Sequence, residues 1–441
     1  MDLLTSVRNQ LERNGDYSER ALESDNQLVK LIYLNSICDE KKIADQLIRP
    51  FYEDPRRFAE YVRSFHGNKS LTEPGAAIDQ MLSGRVCIIT ENNPILAVDM
   101  LDFKAKSLSE PSNEKVLHGP QHGLSAELRV SLNLLRNAYR KSSFIVENRT
   151  VGLPQSTKLS LVYDQDIVSP ALLQEMNRRL DDVKLEIVTN IGQLHQKFSK
   201  SKWSLFPLYM ITERVDRILK NVQDGKVAVL LEGSPFALIA PAVFFDFFVS
   251  MDDITEPSLA SRFFTTLRYI ALTITTLFPS FYVLAVQYAP EMLRPQIALH
   301  LAGSRSMVPY PAIIEVMFML ILGEFLVEAS IRLPKSVGQA ATTVGGLILG
   351  EAASQAGFVS HIIIIIMSTV TISSFVIPIS MMTTATRVVR YPMVLVTAFF
   401  GFVGFILGVL GLIVYLASLR SLGQPYFRLF NRDKIHERQG G

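Results

Sequence analysis

The chain has 441 residues, 48% of them hydrophobic and 20% charged, with a formal net charge of +2. A balance so close to neutral points away from a nucleic acid partner, and two cysteines, Cys38 and Cys87, are too few for a disulfide framework or a cysteine zinc site. The averages conceal two parts: residues 1 to about 235 are charged and mixed, while the remainder is mostly apolar, which predicts a soluble region joined to an integral membrane region.

From the start, MDLLTSVRNQLERNGD lacks the basic opening and apolar core of a signal peptide, so the soluble half is expected in the cytoplasm. Cys38 and Cys87 sit in ordinary core sequence and are expected to be reduced. One unit then occurs twice. GRVCIITENNPILAV (Gly84 to Val98) and GKVAVLLEGSPFALI (Gly225 to Ile239) share Gly, Val, Glu and Pro in register, each reading as strand, tight turn, strand. Upstream of each, a strand ending at Tyr33 or Tyr163 runs through an acidic turn into an amphipathic helix. Two related α/β subdomains are expected, about Leu28 to Val98 and Thr157 to Ile239, joined by a helix around Leu124 to Arg140.

Nothing in this half looks catalytic: there is no Walker A loop and no GxGxxG after a strand. His118 and His122 have HxxxH spacing, but the Gly-Pro between them forbids a helical metal pair, and they read as loop histidines. No enzymatic activity, metal or cofactor is expected. Thr212 reads as an N-cap, with Glu213 and Asp216 in the following first turn.

Five later runs are long enough to span a bilayer, which takes about 20 apolar residues: Phe263 to Tyr288, Pro311 to Ile331, Val337 to Phe358, His361 to Met381 and Pro392 to Leu419. Phe236 to Val249, shorter and broken by Pro241, reads as a re-entrant or interfacial element. With the N-terminus inside, the Arg332/Lys335 and Arg387/Arg390 loops fall inside too, as the positive-inside rule prefers. The basic tail also belongs inside, which five crossings forbid. Either Phe236 to Val249 crosses fully or Pro295 to Arg305 is irregular.

The second run carries Glu315, Glu324 and Glu328, and an acid at mid-bilayer costs about 2.5 to 3.5 kcal/mol. Glu324, Glu328 and Arg332 lie within about 80° on one helical stripe, while Glu315 points elsewhere near the helix start. Arg268, just inside the first run, is available to pair with Glu324 or Glu328. Arg268, Glu324, Glu328 and Arg332 form an expected intramembrane network, serving either packing or transport. In the third run Gln339, Thr343, Gly346, Gly350, Ser354 and Gly357 share a small-residue face, where Gly346-x-x-x-Gly350 permits close helix packing. The opposite face holds Val337, Ala341, Val344, Ile348, Glu351 and Gln355. That stripe suits a pore helix with an apolar constriction and a ring of acids, or a plain contact with another helix. Pro279 and Pro378 are expected to kink their spans.

The blocks TERVDRILKNVQDGKVAVLLEGSPFALIAPAVFFDFF, RLPKSVGQAATTVGGLILGEAASQAG and ISSFVIP resemble the A subunits of GerA-type nutrient germinant receptors of bacterial endospores and their paralogue SpoVAF. GPQHGLSAELRVSLNLLR is similar to the segment before that family's central helix, and in the TERVDR block Val215 stands where the family usually has Pro. The resemblance implies a subunit of the spore inner membrane that works with a permease-like B subunit and a lipoprotein C subunit. It also implies a homo-oligomeric cation channel that opens on germinant detection. An accessory SpoVAF-like channel and a carrier using the intramembrane carboxylates are the alternatives. Only the soluble half shows a repeat, whereas carriers often repeat their membrane helices. The expected fold is thus an α/β cytoplasmic region followed by an all-α polytopic membrane domain. It divides into a first subdomain with its linking helix (1–140), a second subdomain (141–240), a transmembrane domain of about five spans (241–420) and a short basic tail (421–441).

Overall fold

A computed structural model describes residues 3–25, 27–65, 69–71, 73–90, 93–102, 111, 114, 116, 122–152, 156–183, 188–198 and 204–428. The N-terminal region is built on two antiparallel sheets. The first holds β1 (Tyr17–Ser24), β2 (Gln27–Leu34), β3 (Lys69–Leu71), β4 (Arg85–Thr90) and β5 (Asn93–Asp99) in the order β1-β2-β4-β5-β3. The second holds β6 (Phe144–Val151), β7 (Thr157–Asp164), β8 (Met210–Thr212), β9 (Val227–Leu231) and β10 (Ala237–Ala240) in the order β6-β7-β9-β10-β8. The two orders are the same. The expected sequence of strand, helix and hairpin occurs in both, and each sheet gains a leading strand, β1 or β6, and a short edge strand, β3 or β8.

Alternation along β2 explains why its run is continuously apolar. Val29, Leu31 and Tyr33 pack with Ile43, Leu47 and Phe51 on one face, while Ile32 and Leu34 pack with Ile78, Met81 and Leu82 on the other. A strand covered on both faces needs apolar residues at successive positions. The glycines that match between the repeats open equivalent turns: Gly84 (φ 84°) precedes β4 and Gly225 (φ 80°) precedes β9, a conformation that side chains rarely adopt. Helix α1 (Leu128–Ala138) links the two sheets.

Two expectations are corrected here. Phe236 to Val249 is not a membrane element. Ala237–Ala240 forms β10, buried between β9 and β8, and Phe244, Phe247 and Phe248 bury in the 3-10 turn that follows. An apolar run reads alike whether lipid or a sheet covers it. Thr212 ends β8 rather than capping a helix: the helix runs Val215–Gln223 with Arg214 at its N-cap, and Thr212 Oγ1 accepts the Arg214 N–H at 3.1 Å.

The C-terminal region is helical: α2 (Ser258–Val283, continued by a π-turn, Leu284–Tyr288), α3 (Pro295–Arg305), α4 (Ala312–Arg332), α5 (Lys335–Gln355), α6 (His361–Phe375) and α7 (Ser380–Ser418). By length and composition Ser258–Tyr288 and Ser380–Ser418 can cross a membrane. The second of these is not straight. Gly401 has φ 60° and ψ −135°, and a Cβ placed on Gly408 would lie 2.9 Å from Met393 Sδ. Residues 15 apart in a straight helix are separated by about 22 Å, so the chain reverses at Gly401 into two antiparallel arms of about 31 and 26 Å. Gly404 against the carbonyl of Val396 shows the same fold-back.

The reversal corrects the expected five runs. The fourth ends at Phe375, Pro378 sits in the break before Ser380 rather than kinking a helix, and the run Pro392 to Leu419 straddles the reversal. Tyr288, at the far end of α2, hydrogen-bonds the Ala398 carbonyl beside the reversal. Ile377, Ile379 and Met382, before and at the start of α7, share a buried cluster with the second sheet. After the second arm, Arg420–Ser421 pairs with Gln424–Pro425 and the chain docks on that sheet. Tyr426 is fully buried, its carbonyl accepts the Phe244 N–H at 3.0 Å, and Ser421 Oγ donates to the Leu208 carbonyl at 2.5 Å. Residues 420–426 and the second sheet therefore share one end of the bundle.

Candidate functional site

Within the bundle, α5 presents two unlike faces. A Cβ placed on Gly346 would lie 3.7 Å from Leu326 of α4, and one on Gly350 would lie 3.8 Å from Ile364 of α6. The glycine face thus packs against protein, as its small residues require. On the opposite face Val344 and Ile348 are 55% and 59% exposed, and Glu351 and Gln355 are exposed and joined by a 3.0 Å hydrogen bond. The side chains of Val337 and Ala341 lie outside the described residues. Covered by lipid, Glu351 would cost about 2.5 to 3.5 kcal/mol at mid-bilayer, whereas water or a second chain removes that penalty.

The expected charge network separates into local pairs. Arg268 does not meet Glu324 or Glu328; it donates to Asp253 Oδ1 at 3.0 Å and to the Phe248 carbonyl at 3.1 Å. It lies in the early turns of α2, beside the short helix that carries Asp253, so the nearer acid takes it. Glu324 is held instead from α7, by Arg387 Nε at 3.2 Å and Arg390 Nη2 at 2.9 Å. Glu328 pairs one turn along its own helix with Arg332 at 2.6 Å, both exposed. Glu315 is fully buried and accepts from Arg305 Nε at 2.7 Å and Ser360 Oγ at 3.1 Å. Sequence spacing hid Arg305 as its partner, because a break in the chain separates α3 from α4.

Nearer the sheets, Arg136 of α1 is fully buried and joined to Asp16 at 2.9 Å, Asn14 at 2.8 Å and the Phe144 carbonyl at 2.5 Å. It ties the loop before β1 to the start of β6. Beside it a cleft of about 540 Å³ opens between the sheets, lined by Asp16, Ser36, Arg129, Asn148, Lys158 and Glu232. Side chains of both charge signs line it. His122 is exposed, and His118 lies outside the described residues.

Comparison with known proteins finds sequence matches over nearly the whole chain. The family model described as Bacillus/Clostridium GerA spore germination protein matches residues 5–439. Spore germination protein GerLA of Bacillus cereus is 31% identical over 96% of this chain and 89% of its own length. Spore germination protein B1 of Bacillus subtilis is 30% identical over 96% and 90%, and spore germination protein KA of the same organism is 30% identical over 92% and 76%. A crystal structure of the N-terminal domain of the A subunit of a Bacillus megaterium spore germinant receptor aligns with 55% of the chain, at 19% identity and a TM-score of 0.43. A match that runs from residue 5 through both sheets and the bundle to residue 439 covers every part of the fold described above, and the chain belongs to the GerA family of spore germination proteins.

Proposed function

We propose that the chain is a non-enzymatic A-type subunit of a nutrient-germinant receptor in the spore inner membrane, and that several copies set α5 around a common axis to form a cation path. The path opens on germinant detection, in assembly with a permease-like B subunit and a lipoprotein C subunit. In this reading α2, α4, α5, α6 and the two arms of α7 cross the bilayer, six crossings in all. The sheets and the tail then face the cytoplasm. Arg332 and Lys335, in the turn between α4 and α5, fall on the same side, in keeping with the positive-inside rule.

The observation that carries the proposal is the exposed stripe of α5, with Val344 and Ile348 followed one turn on by Glu351. Ringed about an axis, the two apolar residues make a collar too dry for ions at rest, and Glu351 concentrates cations beyond it. The carrier alternative needs a free carboxylate, whereas Glu315, Glu324 and Glu328 all hold arginines. Spores carrying Val344→Ala are expected to leak potassium without nutrient, and Glu351→Gln to slow release severalfold, both at normal protein abundance. Normal abundance with no leak and unchanged release would remove α5 from the path.

A further inference from the structure

Where α7 crosses α4, two arginines share one carboxylate. Glu324 accepts from Arg387 and Arg390, and Arg390 is 5% exposed with no acceptor for its Nε–H among the described residues. One positive charge is left over. Arg390 stands 11 residues from the reversal at Gly401, about 16 Å along an arm of about 31 Å, so the surplus lies near the middle of the bundle. An unbalanced charge is costly to bury there. Other acids of the bundle do not supply the balance: Glu315 holds Arg305, Glu328 holds Arg332, and Glu351 bonds Gln355 on the exposed face. Residues 335–343, whose side chains are not described, include no acid.

A second observation comes from α2, which packs along α7. Thr275, Thr276 and Ser280 are buried, and none of their hydroxyls has a partner among the described residues. Thr386 and Thr397 of α7, equally buried, bond carbonyls of their own helix at 2.8 Å. Tyr288 of α2, set against Gly401 and the Ala398 carbonyl, fixes the register of the two parallel helices. Counting back 12 residues from these anchors puts Thr276 roughly level with Thr386 to Val389, and counting back 8 puts Ser280 roughly level with Arg390 to Met393. Unused donors and surplus positive charge therefore occupy the same level of the bundle.

We propose that this level binds a small monovalent anion of the chloride class, held by the Arg390 Nε–H and by hydroxyls of Thr275, Thr276 and Ser280. Water would satisfy the hydroxyls but leave the charge unbalanced; a halide answers both, because each of these groups can donate to it. The anion ties α2 to the α4–α7 pair, whether or not α5 lines a path for cations.

The test is thermal unfolding of the purified full chain in detergent, with chloride exchanged for gluconate at constant sodium. A saturable rise in Tm of roughly 2 to 5 °C with chloride is expected, as for any ligand of the folded state. Thr276→Val should raise the half-saturating chloride concentration severalfold. Ser280→Asp supplies the missing negative charge, and should abolish the chloride response while matching the chloride-bound wild type in gluconate. Arg390→Gln, which removes the surplus, should also abolish the response. Equal Tm in the two anions, a linear non-saturating response, or an unchanged chloride response in both Ser280→Asp and Arg390→Gln would overturn the proposal.

Discussion

Arg136 exposes no surface, and its guanidinium is divided between the loop at Asn14 and Asp16 and the carbonyl that opens β6. Asp16 is itself 3% exposed and also takes the Ser36 hydroxyl at 2.5 Å. Removing one partner of such a buried pair leaves the other charge uncompensated, at a cost of about 3 to 5 kcal/mol. Arg136→Met is therefore expected to destabilise the chain by about that amount in chemical denaturation. The double change with Asp16→Asn should recover a substantial part. Equal losses in the single and double variants would show that packing rather than charge is at stake. None of this was legible in the sequence. In NLLRNAYR an arginine that joins two units looks like any solvated helix residue, because its partner is 120 positions away. The paired apolar strands, by contrast, were legible: QLVKLIYL and TKLSLVYD are buried on both faces of their sheets and show it in apolar residues at consecutive positions, LIYL and LVY.

The same contrast governs whole elements. β1, YSERALES, is a polar edge strand and β8 has three residues, so neither carried the pattern that announced β2, β7 and the hairpins. The reversal inside α7 was hidden for the opposite reason. FFGFVGFILG is apolar throughout, and a turn placed in lipid or against protein needs no polar residue to mark it. Its requirement is conformational. At φ 60° and ψ −135° Gly401 occupies backbone territory that side chains avoid, and a Cβ there would stand 2.9 Å from the Tyr288 ring. Gly401→Ala is expected to cost about 2 kcal/mol and to lower the amount of assembled protein in the membrane. Combining it with Tyr288→Ala removes the clash but not the strained dihedral, so the double variant should stay below Tyr288→Ala alone. Full recovery of the double variant to that level would mean that the ring contact, not the backbone, defines the turn.

Over the whole molecule, the reversal settles the parity that five runs could not: sheets and tail occupy the same end of the bundle, and α3 the other. In a membrane this predicts a labelling pattern. Cysteines introduced at Glu23 and Arg428 should react with an impermeant thiol reagent from one side, and a cysteine at His300, exposed on α3, from the other. Native thiols give no background, since Cys38 and Cys87 are buried and burial pushes both up to about 12, leaving almost no thiolate near neutral pH. Labelling of Glu23→Cys and Arg428→Cys from opposite sides would require an odd number of crossings and contradict the docking of Tyr426. That docking also bears on how the chain is made. Residues emerge from the ribosome in order, and domains fold as they emerge. The second sheet is complete by Ala240, yet the slot beside Phe244 and Phe247 is filled by Tyr426, nearly two hundred residues later. Until the last turn of the bundle is made, the finished sheet carries an unfilled aromatic slot, so a chain cut short anywhere in the bundle is marked as incomplete at the end that carries the sheets.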